Sequence, residues 1–154
     1  VFQVAQGMGV ARVDILDTCE MLWLSAEAVD GDWFTVSGMS YIVDSEGPSV
    51  TALDLAEGYQ ALSPYYATPF LNQEGKEVTL GGMVLVKSGN YVSQMQIATL
   101  PSGSCPAAKE LFHVSQNSHG ARIDIYPSCE VLWVAGEATI DWISLEGIRF
   151  LAAD

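Results

Sequence analysis

Three cysteines are the most reactive side chains of this 154-residue sequence: Cys19, Cys105 and Cys129. Thiols can pair in a disulfide, bind a metal or act as nucleophiles. There is no Cys-x-x-Cys pair, and His113 and His119 lie away from any second pair of cysteines, so the spacing fits no zinc site. An odd number of cysteines usually leaves one thiol unpaired. A disulfide and three buried free thiols both remain open at this point.

Carboxylates are abundant, with 19 Asp and Glu against 6 Lys and Arg and a formal net charge of -13. Asp30-Gly31-Asp32 has a spacing that suits a small hard cation such as calcium, but the repeat described below places Thr139-Ile140-Asp141 there, which favours a solvated acidic turn. The acids are too scattered to nominate a catalytic pair, and no nucleophile elbow, zinc-protease or phosphate-loop motif occurs. We therefore predict no enzyme, no metal and no cofactor.

Aromatic side chains are the best candidates for a binding surface, since flat rings can stack on sugars. Four tryptophans occupy equivalent places in the repeat: Trp23, Trp33, Trp133 and Trp142. Each lies in an apolar stretch, which favours core packing over a sugar platform. Tyr65 and Tyr66 lie in a loop flanked by prolines and are better placed for an exposed contact. Tyr65, Tyr66, Trp33 and Trp142 are the candidate binding residues.

The charge and the hydrophobic pattern exclude two classes of partner. Nucleic-acid binding needs a basic surface because phosphate contacts carry most of the affinity, and six basic residues in this acidic chain do not provide one. An anionic membrane surface is excluded for the same reason. The longest apolar stretches, such as Met83–Val86 and Val131–Ala135, fall short of the roughly 20 residues of a membrane span.

An internal repeat organises the chain. Residues 11–28 match 121–138 at a constant offset of 110, and after one deletion Trp33 aligns with Trp142. Over residues 1–28 and 33–43, 15 of the 39 aligned residues are identical. A match of this extent indicates a duplicated structural unit.

The repeat divides the chain into unequal parts. Residues 1–46 correspond to the C-terminal half of a module, and 47–154 form one complete module, so the chain holds about one and a half copies. A half module exposes strand edges unless something pairs with them. We therefore expect its other half in an upstream part of the same precursor or in another chain. The first residue is Val1 rather than Met, which leads us to expect a processed or trimmed product.

The repeat also accounts for the odd number of cysteines. Cys19 and Cys129 are equivalent, whereas the counterpart of Cys105 would fall before Val1. Each full module would then carry two cysteines, and we predict a disulfide between Cys105 and Cys129. Its loop would stabilise the module by about 3 kcal/mol. The partner of Cys19 is left open.

The elements that position these side chains are predicted to be strands. In Arg122–Tyr126 charged residues alternate with isoleucine, as in a half-buried strand, and Trp142–Leu145 and Ile148–Leu151 read similarly around the turn Glu146-Gly147. Glu130–Ala135 is apolar on both faces. That strand is either central to two packed sheets or covered by another subunit.

The unrepeated segment adds strands over 52–56, Glu77–Leu80, Met83–Lys87 and Tyr91–Leu100. Thr51–Asp54 also matches a helix capping box, so a helix there is the alternative. Short strands separated by Gly, Pro and Asn indicate a sandwich or barrel. We predict an all-β fold, an antiparallel, jelly-roll-like β-sandwich.

The complete module resembles the distal module of bacteriophage tail fibres, and similar modules occur as tandem repeats in secreted or surface proteins of unicellular algae. The resemblance is carried by these segments: Ala98–Pro106, Phe112–Val114, Ala121–Ile125, Glu130–Val134 and Trp142–Phe150. It implies an all-β sandwich used for adhesion or receptor binding, often in trimers or fibres. Cys105 replaces an arginine of the family pattern, and Cys19 and Cys129 replace a turn glycine. These cysteines favour an extracytoplasmic protein: secreted, at the cell surface or in an organelle lumen.

Two functions follow as expectations. The first is a non-catalytic adhesion or assembly module of a surface, fibre or filament protein, whose partners are protein subunits, further copies of the module or glycans. The alternative is an accessory structural subunit that joins a large multi-protein complex without recognising glycans. We further predict the same β conformation for the strands of Trp23 and Trp133, with both side chains mostly buried.

Overall fold

The computed structural model describes residues 2–6, 9–16, 18–26, 50–62, 64–87, 92–117 and 119–154. All regular structure within those residues is β, which confirms the predicted fold class. The strands are β1 (Phe2–Gln6), β2 (Gly9–Ile15), β3 (Met21–Ala26), β4 (Val50–Ala52), β5 (Asp54–Leu55), β6 (Tyr59–Ala61), β7 (Phe70–Glu74), β8 (Glu77–Gly81), β9 (Met83–Val86), β10 (Met95–Thr99), β11 (Glu110–Gln116), β12 (His119–Ile125), β13 (Glu130–Ala135), β14 (Trp142–Ser144) and β15 (Ile148–Leu151). No described segment forms a helix long and apolar enough to cross a bilayer.

Five strands of the second copy form one antiparallel sheet in the order β11-β12-β13-β10-β5. β13 lies between β12 and β10, as expected for a strand that is apolar on both faces. Val131 and Trp133 are buried on one face of β13, and Leu132 and Val134 are half-buried on the other. The central place of β13 explains why its sequence lacks the polar alternation of an exposed strand.

Two smaller sheets complete the sandwich, in the orders β15-β8-β7-β4 and β14-β9-β6. They meet at Gly82, the single residue between β8 and β9. Gly82 has a φ of 88°, a conformation that glycine adopts without strain. The turn between β14 and β15 meets the same point, because the Leu145 N–H donates to the Gly82 carbonyl at 2.9 Å.

One cluster of buried apolar side chains holds these sheets together. Its members come from both layers, and the largest fully buried ones are aliphatic: Leu80, Ile97, Ile123, Ile125, Ile143, Leu145 and Ile148. Burial of each such side chain contributes about 1.5–3 kcal/mol. The predicted sandwich therefore rests on a substantial core.

The first copy forms a three-stranded sheet in the order β1-β2-β3. Its register repeats that of β11-β12-β13: the pairs Phe2 with Val13 and Val13 with Trp23 correspond to Phe112 with Ile123 and Ile123 with Trp133. Both sheets also have a register shift directly after the equivalent arginine, Arg12 or Arg122. The predicted likeness of the two tryptophan strands is confirmed.

The predicted burial of both tryptophans is wrong for Trp23. Trp133 is 3% exposed, whereas Trp23 is 51% exposed. Trp133 lies in a sheet whose core is completed by the strands of residues 47–110, and the sequence contains one copy of those strands. Equal strand geometry therefore does not give equal burial.

Three smaller expectations also need correction. The alternative helix at Thr51–Asp54 is wrong, because β4 and β5 pair there with β7 and β10. The strand predicted from Tyr91 begins only at Met95, after Gln94 takes a left-handed φ of 66°. Asp124, placed on the solvent face by its alternation with isoleucine, has no exposed surface because basic side chains cover it.

Candidate functional site

Tyr65 and Tyr66 lie in a loop whose end is fixed to the sandwich. The Met83 N–H donates to the Ala67 carbonyl at 3.0 Å, and the Leu53 N–H donates to the Pro69 carbonyl at 3.0 Å. Two points of the loop are thus joined to the sandwich, one to β9 and one to the residue between β4 and β5. Tyr65 is nevertheless 92% exposed.

Gly82 explains why this loop runs close to the strands. A Cβ atom built at Gly82 would lie 2.5 Å from the Thr68 carbonyl oxygen and 2.7 Å from Pro69 Cα. Any other residue would push the loop away, and its positive φ would add strain. Because Gly82 has no side chain, the aromatic loop can pack directly against the bend between β8 and β9.

Arg12, on β2 of the first copy, reaches the second copy at this loop. Its guanidinium carbon lies 4.8 Å from the centre of the Trp142 ring, a cation–π distance. Its Nη1 donates to Asn117 Oδ1 at 3.3 Å, and its Nε and Nη2 donate to Asp14 at 3.0 and 2.7 Å. The Arg12 side chain is only 12% exposed. It joins the two copies.

The environment of Arg12 favours its charged form. Burial alone would lower the pKa of Arg12, but hydrogen bonds to Asp14 and to the Tyr66 hydroxyl outweigh burial and raise the pKa. The guanidinium therefore remains charged at every pH at which the protein is folded. We call Arg12, Tyr65, Tyr66, Asn117 and Trp142 the junction surface.

The candidate residues from the sequence divide as follows. The structure brings Tyr66 and Trp142 together through Arg12, and Tyr65, which precedes Tyr66 in the chain, is exposed. Trp142 is half-buried, so its ring is neither a full core residue nor a fully exposed sugar platform. Trp33 lies outside the described residues. Sequence reasoning missed Arg12, although its recurrence as Arg122 singles it out as part of the repeat.

The predicted disulfide between Cys105 and Cys129 is present. Cys129 has a φ of 73°, a left-handed conformation at the turn where the resembled family has glycine. The Leu100 N–H donates to the Cys129 carbonyl at 2.9 Å, so a hydrogen bond and a covalent bond meet at one residue. Cys19 is exposed and free.

A second group of charged and aromatic side chains surrounds Asp124, and we call it the Asp124 patch. Arg122 Nε lies 2.7 Å from Asp124 Oδ1 and Lys109 Nζ 2.6 Å from Asp124 Oδ2. Lys109 also donates to the Tyr126 hydroxyl at 2.8 Å and lies 4.6 Å from the centre of its ring. The Arg122 side chain is 43% exposed, more than three times its equivalent Arg12.

A calcium loop is the metal site that the sequence brings into consideration. Among the described residues, no three His, Cys, Asp or Glu side chains are grouped as ligands for a metal ion. The Asp30-Gly31-Asp32 segment lies outside the described residues.

No protein-family model matches the sequence, and no curated protein matches it. Among solved structures the chain is similar to the receptor binding protein (gp15) of Listeria phage PSA, with a TM-score of 0.53 and 24% sequence identity. The match covers 68% of this chain and 65% of that one, so the chain spans less than two thirds of the phage protein. The likeness shows a fold of the phage receptor-binding type.

Proposed function

We propose that this chain is a non-catalytic adhesion module that binds a protein or glycan receptor through its junction surface. The observation that carries the proposal is Tyr65, 92% exposed on a loop that two backbone hydrogen bonds fix to the sandwich. A tyrosine side chain has few rotatable bonds, so it loses little conformational entropy on binding, and it offers a large contact area. Such residues dominate the binding energy of many interfaces.

The neighbours of Tyr65 add polar recognition to this aromatic contact. Tyr66 and Trp142 both contact the Arg12 guanidinium, and the Asn117 side chain accepts a hydrogen bond from it. Aromatic rings beside polar side chains are a combination that binds small polar ligands such as sugars. The phage receptor-binding fold supports the same reading, because that fold serves receptor recognition in the protein to which this chain is similar.

The cellular setting that we propose is extracytoplasmic, with the module as part of a surface, fibre or filament protein. A disulfide between Cys105 and Cys129 supports it, since disulfides persist in oxidising compartments. Further copies of the module or other subunits would then be its neighbours.

A glycan array together with a binding assay on intact cells tests the proposal. Tyr65→Ala should abolish binding while leaving the denaturation midpoint unchanged, because the side chain is almost wholly in solvent. Leu151→Ala is the matched control: Leu151 is 65% exposed on β15 and should bind like the parent. Equal binding by both variants would show that Tyr65 and the junction surface do not contact the receptor.

The alternative is an accessory structural subunit that joins a protein complex without binding glycans. The exposed apolar strand β3 favours it, because Met21, Leu22, Trp23 and Leu24 are all 40–51% exposed. Contiguous apolar surface of this kind marks protein interfaces. A folded protein that binds no glycan but co-purifies with a large assembly through β3 would favour this second function.

A further inference from the structure

Three contacts hold the N-terminal half of the complete module onto β13. β10 pairs with β13 along its edge, with Met95 opposite Trp133. Trp133 is buried in the shared core. The disulfide from Cys105 closes the end of the same strand at Cys129.

The first copy has an equivalent of each residue or strand that makes these contacts in β13: the strand β3, Trp23 and Cys19. The backbone at the cysteine also has the same conformation. Cys19 has a φ of 64° against 73° for Cys129. The Cys19 N–H donates to the Leu16 carbonyl at 3.0 Å, as the Cys129 N–H donates to Tyr126 at 2.9 Å. The turn before β3 is therefore shaped to present Cys19 in the way that its counterpart is presented.

None of these three receiving positions is filled within the described residues. Cys19 is free and exposed, Trp23 is 51% exposed, and β3 pairs with β2 alone. In the complete module, the residues after β13 form β14 and β15. Those strands pair with β9 and β8 and not with β13.

We propose that the β3 edge, with Trp23 and Cys19, is the docking site for the N-terminal half of another module of this repeat. The occupant is a segment like residues 47–110 of another module, because in the complete module that segment supplies the strand β10 and the cysteine Cys105. Its equivalent of β10 adds antiparallel to β3 and covers Trp23. A second copy of the chain is disfavoured, because its own residues 47–110 already engage its β13. This inference concerns assembly and is independent of the proposed receptor function.

The docked half also supplies a cysteine to Cys19. Cys19 and the counterpart of Cys105 form one S–S bond and together lose two protons and two electrons. A disulfide oxidant such as oxidised glutathione accepts them and is released as two molecules of reduced glutathione.

A chain with a copy of residues 47–110 fused directly before Val1 tests the proposal. The added segment contains no tryptophan, so the fluorescent residues of the two proteins are the same. After refolding with glutathione, reactive thiols should fall from one per chain to none. Acrylamide quenching of Trp23, isolated by difference from Trp23→Phe, should fall severalfold.

Two variants of the added segment separate docking from cross-linking. With its cysteine replaced by serine, Trp23 should remain protected and one thiol, Cys19, should react. With the counterpart of Ile97 replaced by Asp, the strand that covers Trp23 should fail to pack, because Ile97 is fully buried in the complete module. Trp23 should then quench as in the 154-residue chain.

The proposal is overturned if the fused chain keeps two reactive thiols and an unprotected Trp23 while the Cys105–Cys129 disulfide of its original module is intact by mass spectrometry. It is also overturned if the 154-residue chain is a dimer in which Trp23 is already protected. In that case a second copy occupies the face. Loss of receptor binding in the Tyr65 variant affects neither readout, so the two proposals fail separately.

Discussion

The β1-β2-β3 sheet and the β11-β12-β13 sheet have the same local structure and different surroundings. Equivalent hydrogen bonds recur: Thr18 donates to Glu20 at 2.9 Å, and Ser128 donates to Glu130 at 2.7 Å. Yet the first tryptophan is half exposed and the second is buried, and the first cysteine is free while the second is bonded. Local sequence therefore determines strand, turn and register, and the layer packed against a sheet determines burial.

The arginines of the two sheets also differ in exposure, but here the residue of the first sheet is the more buried one. Arg12 is covered because it contacts Tyr66, Asn117 and Trp142, whereas the Arg122 side chain is 43% exposed. Within the described residues, the first sheet therefore has its arginine covered and its tryptophan half exposed. In the second sheet the tryptophan is covered and the arginine is exposed.

The largest expected difference between the two sheets concerns their tryptophans. Trp133→Ala removes a buried ring and should lower the free energy of unfolding by about 3–5 kcal/mol. Trp23→Ala should change it by about 0.5 kcal/mol or less, as is usual for half-exposed positions without a packed neighbour layer. Urea denaturation of both variants checks this, and equal losses would show that Trp23 is packed in solution.

Sequence reasoning predicted the strands more fully than their burial. Alternation and the repeat were sufficient for the register of β3, since the same residues recur at a fixed offset. They were insufficient for Trp23, because the repeat also implies a covering layer that a single sheet cannot supply. The prediction for Asp124 was wrong for a related reason. The alternation along a strand predicts which face of the sheet a residue lies on, but the burial of Asp124 also depends on Lys109, which comes from another part of the chain.

The disulfide gives the second expected difference. Cys105→Ser or Cys129→Ser should lower the free energy of unfolding by about 3 kcal/mol, because the bond closes a loop across 24 residues. Cys19→Ser should leave it unchanged, since Cys19 is exposed and free. Denaturation with and without a reducing agent provides the measurement. A comparable loss in the Cys19 variant would mean that this thiol has a structural partner.

The junction surface could be predicted only in part. Tyr65 and Tyr66 were identifiable because prolines flank them on an unrepeated loop. Arg12 could not be assigned to Trp142, since the contact joins residues that lie far apart in the chain and on different sheets. A contact between repeats leaves no local pattern.

Asp124 provides a third comparison, now in its response to pH. Burial would raise the pKa of Asp124, but hydrogen bonds from Arg122 and Lys109 outweigh it and hold the pKa below its ordinary value of 3.8. The ion group therefore stabilises the fold above that value, and this stability is lost as the pH falls through the lower folded pKa. Asp124→Asn should cost about 1–2 kcal/mol at pH 7 and show a smaller loss of stability in acid.

Asp14→Asn is the matched variant in the first sheet. It removes the ion pair with Arg12 but leaves Arg12 its contacts with Asn117 and Trp142. We expect a smaller effect than for Asp124→Asn, whose removal leaves two cations, Arg122 and Lys109, without their shared carboxylate. Urea denaturation of both variants at pH 7 measures the difference in stability, and a larger loss for Asp14→Asn would reverse the ranking.

The smallest expected effect lies where the two copies differ in sequence. Glu146 precedes the turn glycine Gly147 in the second copy, where the first copy has Ser37 before Gly38. The Glu146 carboxylate accepts a hydrogen bond from the Gly82 N–H at 2.9 Å. Burial nevertheless raises the pKa of Glu146 above its ordinary value of 4.5, and the bond from Gly82 only partly offsets this.

Glu146→Gln should therefore stabilise the module slightly at neutral pH. The folded state holds the proton more tightly than the unfolded chain, so stability falls as the pH rises from 4.5 through the higher folded pKa and stays lower above it. Glutamine keeps an oxygen acceptor for Gly82 and carries no charge, so the variant should gain about 1 kcal/mol or less at pH 7 and lose this pH dependence. Glu110→Gln, at an exposed site on β11, is the control and should match the parent. A variant less stable than the parent at pH 7 would mean that the charged hydrogen bond to Gly82 outweighs the cost of burying the carboxylate. The glutamate would then stabilise the complete module through a contact that Ser37 cannot provide as a charged group in the first copy.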